Sequence, residues 1–375
     1  MTVVTKNDVA SMDDLMLPFK AIERTLKFSV NDHRKWWQKT GPLLASLMTS
    51  AGYNSQSQSH YLMFFYKSVV PYLGPYPQTY RSAIAHNELP LEFSINFQQK
   101  GGAKPVIRVA VEPVSSISGT DEDPFNLSPI GEYLSHLKDI SVKGYDDRVF
   151  NYFYPRHTLD GNECKILQDR NESIRERSQA AFGFDLKPHG ICVKGYTFPG
   201  VKCHANGTDL NTVAIESVQE FLGDADSHGA LNMIKHYVET TDERSKFGFV
   251  YSNDCVTPED SRHKLYGRTV DISWNKVREI WSLGGRMTST SESERGLEHL
   301  QRLSELLQIG THPLGIHLVW NYEIKAGLSV PTTKIYFPVF GLNDQKNVCA
   351  IAQYLTEIGL GQYGDAYEQS VRDSL

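Results

Sequence analysis

Cysteine is scarce and badly spaced in this chain. Its five thiols among 375 residues (Cys164, Cys192, Cys203, Cys255 and Cys349) are an odd number with no CxxC pair. That excludes a disulfide framework and a thiolate zinc site. Positive charge is not in excess: the net charge of −6 argues against general nucleic-acid binding, which needs a basic surface. No apolar run reaches membrane-spanning length, and the opening MTVVTKNDVASMDD has no apolar signal core, so the expected location is cytoplasmic, away from any membrane. The acid clusters Asp13-Asp14, Asp121-Glu122-Asp123 and Asp146-Asp147 lack the DDxxD helical spacing that can hold magnesium, and read as loop or helix-cap charge. The histidines form no HxxxH or HExxH, and His312 and His317, flanking a Pro-Leu-Gly-Ile turn, read as structural. P-loop and GxSxG motifs are missing. Gly359-Leu-Gly-Gln-Tyr-Gly364 fits GxGxxG but follows a helical stretch instead of a strand, so it reads as a helix end.

What the chain does have is a recurring strand with basic residues on one face. The segments are Pro105–Glu112, Val193–Phe198, Arg262–Gly267 and Lys334–Pro338. Residues i and i+2 of a strand share a face. Lys194 therefore lies beside Tyr196, Arg262 and Lys264 beside Tyr266, and Lys334 beside Tyr336, with Arg108 on the first strand. The opposite faces carry Ile107, Val109, Val111, Val193, Leu265, Ile335 and Phe337. One such strand would be a solvated sheet face. Four of them, each with an apolar reverse that only helices can cover, describe a lumen for an anion and an electron-poor group. Converging cations would repel one another unless an anion binds, and a diphosphate fits through charge-assisted hydrogen bonds. Tyrosine faces stabilise a cation by about 0.5–2 kcal/mol each.

Each basic strand has a partner just before it. The pairs are Leu91–Phe97 with Lys104–Val114, Ala181–Leu186 with Ile191–Phe198, Phe247–Asn253 with Arg262–Val270, and His317–Ile324 with Thr333–Phe340. Lys187-Pro-His-Gly190 and Ala326-Gly327 supply turn residues. Apolar residues at helical spacing fill the intervals: Asp32–Ala51, Ser57–Leu73, Leu127–Leu137, Asn211–Leu222, Ala230–Thr240, Ser273–Leu283 and Ser293–Leu307, then Asn343–Gly359 and Gln362–Ser374. The rhythm predicts an α+β fold of ααββ repeats, an antiparallel barrel with a solvent-filled lumen ringed by helices. Glu92 is the one carboxylate on the Ser/Asn inner face of the first strand. It is either an ion-pair partner for Arg108 or another lumen cation, or an acceptor for an aromatic N–H that later helps remove a proton.

With these residues in view, the chain resembles the fungal aromatic prenyltransferases of the dimethylallyltryptophan synthase family, in particular those acting on tryptophan-containing cyclic dipeptides. The stretches that carry the resemblance are Trp36-Trp37 with Thr40–Leu44, Leu73–Pro77, Leu89–Ser94, Gly119–Asn126, Val193–Tyr196, Trp281–Gly285, Asn321–Glu323 and Lys334–Pro338, in order along nearly the whole chain. The resemblance implies a metal-independent alkylation of an indole by dimethylallyl diphosphate as co-substrate, with no cofactor. Arg108, Lys194, Arg262, Lys264 and Lys334 would hold the diphosphate, although Lys334 stands where many relatives carry Gln. Tyr196, Tyr266 and Tyr336 would shield the dimethylallyl cation, and Glu92 would bind the indole N–H. The branch that prenylates free tryptophan at C4 has a lysine where this chain has Ala181, which turns the expectation away from that reaction. Relatives also continue into a final hairpin with two more tyrosines. Tyr363 and Tyr367 lie on the last helix instead, so their role is not carried over. The expectation is one domain over residues 1–375, truncated at its C-terminal end, with two open strand edges that admit water. The rivals are prenylation of a non-indole aromatic and an inactive barrel that binds an isoprenoid diphosphate without turnover.

Overall fold

Strict alternation of apolar and polar residues, broken by turns, produces one sheet from eight consecutive strands. A computed structural model describes residues 17–374 apart from 99–102, 141, 171, 173, 224–228, 242–244 and 311–315. The strands are β1 (Leu91–Asn96), β2 (Val106–Val111), β3 (Ala180–Lys187), β4 (Gly190–Thr197), β5 (Ser245–Asp254), β6 (Arg262–Thr269), β7 (Leu318–Lys325) and β8 (Thr332–Tyr336). Every neighbour is antiparallel, and the order in the sheet is the order in the chain. The sheet curls, but among the described residues β1 pairs only with β2 and β8 only with β7, so both outer edges stay open. Asp13-Asp14 and His312 lie outside the described residues.

The outer face is the apolar one. Phe182, Phe184, Ile107, Val109 and Val111 pack beneath Trp36, Trp37, Leu62, Phe65 and Tyr133 from the helices Asn31–Ser50, Ser55–Ser68 and Ser128–Asp139. Phe247, Leu265, Trp320, Tyr322 and Ile324 pack beneath Leu210–Leu222, Ala230–Val238 and Trp274–Trp281. Close contact between helix and sheet needs glycine at particular places. Gly248 sits at φ +74° beside the register shift between Phe247 and Val250, and a Cβ there would lie 2.5 Å from Ala214. The fully buried indole of Trp320 lies against Gly267, where a Cβ would be 2.2 Å from its ring. Gly267→Ala is therefore expected to cost about 1–3 kcal/mol through overpacking. Thermal unfolding followed by circular dichroism checks this; an unchanged midpoint would mean that the indole tilts away freely.

Between β2 and β3 the chain forms two helices that sequence reasoning missed, Arg148–His157 and Gly161–Asp169. The first contains Pro155 and a crowd of aromatics, which blurs its helical pattern. The second announces itself only through its capping box: Asp160 accepts from the backbone N–H groups of Asn162 and Glu163 while Glu163 reaches back. The stretch read as one helix over Ser57–Leu73 is Ser55–Ser68 followed by a short 3-10 turn, Val70–Tyr72, because Pro71 cannot continue the hydrogen-bond ladder.

Candidate active site in the lumen

Strand register collects the candidate residues on the inner face. One ladder row runs Glu92, Ala110, Gly183, Lys194, Asp254, the last opposite β6 near Arg262. A second runs Ala181, Tyr196, Ser252, Lys264, Glu323, Thr332. A third joins Tyr266, Asn321 and Lys334, and Tyr336 faces Val319 beyond it. Arg108 stands between Ser94 and Asp185. All nine residues singled out in the sequence thus lie on the lumen face.

The cations do not stand bare, which corrects the expectation that only a bound anion could hold them together. Asp185 lies 2.6 Å from Lys194 Nζ and 3.0 Å from Arg108 Nε. Asp254 accepts from Arg262 Nε at 2.6 Å and from Lys264 Nζ at 3.2 Å. Glu323 accepts from Arg262 Nη1 at 3.2 Å and lies 4.0 Å from Lys264 Nζ and 3.7 Å from Lys334 Nζ. Sequence reasoning missed these three carboxylates because, Glu92 apart, it weighed only the basic and tyrosine positions of the lumen strands. The alternation that placed the lysines also places Asp185 and Glu323 inward, while Asp254 lies one residue past the expected strand end. Lys194 and Lys264 are buried, 8% and 5% exposed. Burial, only partly offset by Asp185, brings the Lys194 ammonium down to about 8, and burial likewise lowers Lys264.

The tyrosines sit farther along the same face. Tyr266 and Tyr336 stack with ring centroids 6.2 Å apart, and the buried Asn321 donates its Nδ2–H to the Tyr336 hydroxyl at 2.7 Å. Tyr336, on the edge strand, is still 43% exposed. Tyr196 packs over Gly183, where a Cβ would come within 3.1 Å of its ring. Glu92 is reached by solvent inside the chamber and, among the described residues, has no ion pair, because Arg108 is taken by Asp185. Its enclosed position raises its carboxyl above the usual range.

The remaining candidates fall elsewhere. Asp123 caps the helix Ser128–Asp139 by accepting from the backbone of Leu127 and Ser128. Asp146 pairs with Arg148 and Asp147 with Lys138. Gly359, at φ +84°, ends the helix Asp344–Glu357, and a Cβ on Gly364 would collide with Thr356, so that glycine run is the corner of a helical hairpin. Tyr363 and Tyr367 lie 5.6 Å and 6.3 Å from Phe97, lining a cavity of about 580 Å³ with Phe93 and Ile95. The cysteines are free. Among the described residues no helix is long and apolar enough to cross a membrane.

The chain and its curled antiparallel sheet under helices have counterparts among known proteins. The prenyltransferase phqI of Penicillium fellutanum is 41% identical over 361 residues, covering 92% of this chain and 78% of that protein. Echinulin prenyltransferase 1 of Aspergillus ruber is 35% identical over 372 residues, covering 95% and 88%. The crystal structure of NotF in complex with brevianamide F and DMSPP superposes with a TM-score of 0.85 at 34% identity, covering 95% of this chain and 89% of that one. The class these define is the aromatic prenyltransferases. Within it, the family profile for tryptophan dimethylallyltransferase matches residues 32–370, and the chain belongs to that family.

Proposed function

We propose that this enzyme transfers a dimethylallyl group from dimethylallyl diphosphate to the indole ring of a tryptophan-containing cyclic dipeptide, without a metal ion. The observation that carries the reading is the division of one lumen face into a cationic part, an aromatic part and a single unpaired carboxylate. The C1–O bond of the allylic diphosphate breaks and its electron pair leaves with the diphosphate. Arg108, Lys194, Arg262, Lys264 and Lys334 take up the charge that develops there. Tyr196, Tyr266 and Tyr336 turn π faces to the allylic cation. Glu92 accepts the indole N–H, a ring carbon attacks to form the C–C bond, and Glu92 helps remove the proton from that carbon. A carboxyl raised by its surroundings is a better proton acceptor than an ordinary one. The cyclic-dipeptide acceptor is supported by the likeness to NotF, solved with brevianamide F, and by Ala181, which leaves no lysine beside Tyr196.

Lys194 makes the reaction pH-dependent. Its ammonium is charged below about 8 in the free enzyme and is lost as pH rises through that value. Bound diphosphate favours the charged form, so kcat/KM for dimethylallyl diphosphate should fall on the alkaline side. Lys194→Arg, charged throughout, should move that limb upward. A limb that stays in place would assign the titration to another group.

Mass spectrometry of products tests the function as a whole. The protein is incubated with dimethylallyl diphosphate and EDTA, and with tryptophan, tryptophan-containing cyclic dipeptides or phenolic aromatics. Gain of one dimethylallyl group on a cyclic dipeptide is the expected result. Gain only on a phenol would replace the acceptor, and diphosphate binding without product would make the chain a binding barrel.

A further inference from the structure

The lumen is a lattice of alternating charge. Five cations (Arg108, Lys194, Arg262, Lys264, Lys334) less the three carboxylates paired with them (Asp185, Asp254, Glu323) leave this lattice a net charge of +2, or +1 for the lumen face once the unpaired Glu92 carboxylate is counted, with every cation within 4.0 Å of a carboxylate. A diphosphate entering this lattice competes with carboxylates that already hold its ligands, and it is repelled by those carboxylates at short range. When it leaves, the cations return to their counter-ions, so buried Lys264 is not stranded as an unpaired charge. Five cations alone would hold diphosphate far more tightly, and uniformly tight binding of substrate and product does not speed turnover.

We propose that Glu323 and Asp254 are affinity-limiting residues, whose negative charge keeps diphosphate binding weak enough for the product to leave. This rests on the reading of the lumen as a diphosphate site. Glu323 is the cleaner case. Without its charge Arg262 remains on Asp254 at 2.6 Å and Lys264 remains on Asp254 at 3.2 Å, so these two cations keep their places while the half-exposed Lys334 loses its 3.7 Å partner and the net charge rises by one. Asp254 offers the reciprocal case, since Arg262 would remain on Glu323 at 3.2 Å.

The test is calorimetric titration of inorganic diphosphate into the wild-type protein, Glu323→Gln, Asp254→Asn and the charge-preserving Glu323→Asp. Loss of a unit charge a few ångströms from the anion should tighten binding by about tenfold in Glu323→Gln. The competitive inhibition constant of diphosphate against dimethylallyl diphosphate should fall by a similar factor, and Asp254→Asn should change in the same direction. Glu323→Asp should stay near wild type. Weaker binding in both neutral variants would overturn the proposal, showing that the carboxylates only hold the cations in position. A wild-type protein that does not bind inorganic diphosphate would overturn the reading of the site itself, a different and recognisable failure.

Discussion

Replacing Glu92 with Gln is expected to cut turnover by about 10²- to 10⁴-fold, the usual contribution of a positioned general base, while leaving inorganic diphosphate binding close to wild type. The geometry separates these effects. Arg108, the nearest cation in β2, is held by Asp185 at 3.0 Å, so Glu92 contributes nothing to the cation lattice and its removal should not disturb it. What Gln loses is charge and basicity. Its amide oxygen can still accept an indole N–H, but it neither strengthens the ring as a nucleophile nor takes up a proton. The raised carboxyl of Glu92 also predicts an acid limb in kcat above the normal carboxylate range, absent from the variant. Parallel losses in turnover and in diphosphate affinity would instead give Glu92 a structural role.

Much of this arrangement was legible because period-two alternation is a local signal. Leu91, Phe93 and Ile95 face the helices and Glu92, Ser94 and Asn96 face the lumen whatever the rest of the chain does. The same rule put Lys194 with Tyr196 and Lys264 with Tyr266 on one face, and the structure keeps them there. What could not be read was which lumen charges meet. Asp254 and Arg262 lie in the hairpin-forming strands β5 and β6, but Glu323 reaches Arg262 only because β7 pairs with β6 in one register among several that the turn residues would allow. Asn321, which holds Tyr336, was visible in a motif but gave no sign of its partner. The helix Arg148–His157 was hidden for a different reason: its aromatics serve two neighbours, Phe150 toward Phe182 and Phe153 toward Tyr251, so no single apolar stripe marks it.

Arg262→Ala should be the most damaging single change to the cation lattice. Arg262 bridges two carboxylates at the shorter distances, Asp254 at 2.6 Å and Glu323 at 3.2 Å, where Lys264 lies 3.2 Å and 4.0 Å from the same pair. Its removal takes the lattice of paired charges, Glu92 apart, from five cations against three carboxylates to four against three, from +2 to +1, and leaves both carboxylates freed of the guanidinium to face the incoming diphosphate. A charge-assisted hydrogen bond is worth about 1.5–3 kcal/mol, and the added repulsion makes a loss in diphosphate affinity of about 100-fold or more the expected result. Lys334→Ala should cost far less. Its side chain is 47% exposed and its carboxylate contact is longer, at 3.7 Å. A double variant separates electrostatics from damage to the fold. Adding Glu323→Gln to Arg262→Ala removes one of the two freed carboxylates and restores the net charge to +2, so part of the lost affinity should return. A purely structural defect would not be repaired by removing a second polar contact, and the double variant would then bind no better than Arg262→Ala alone.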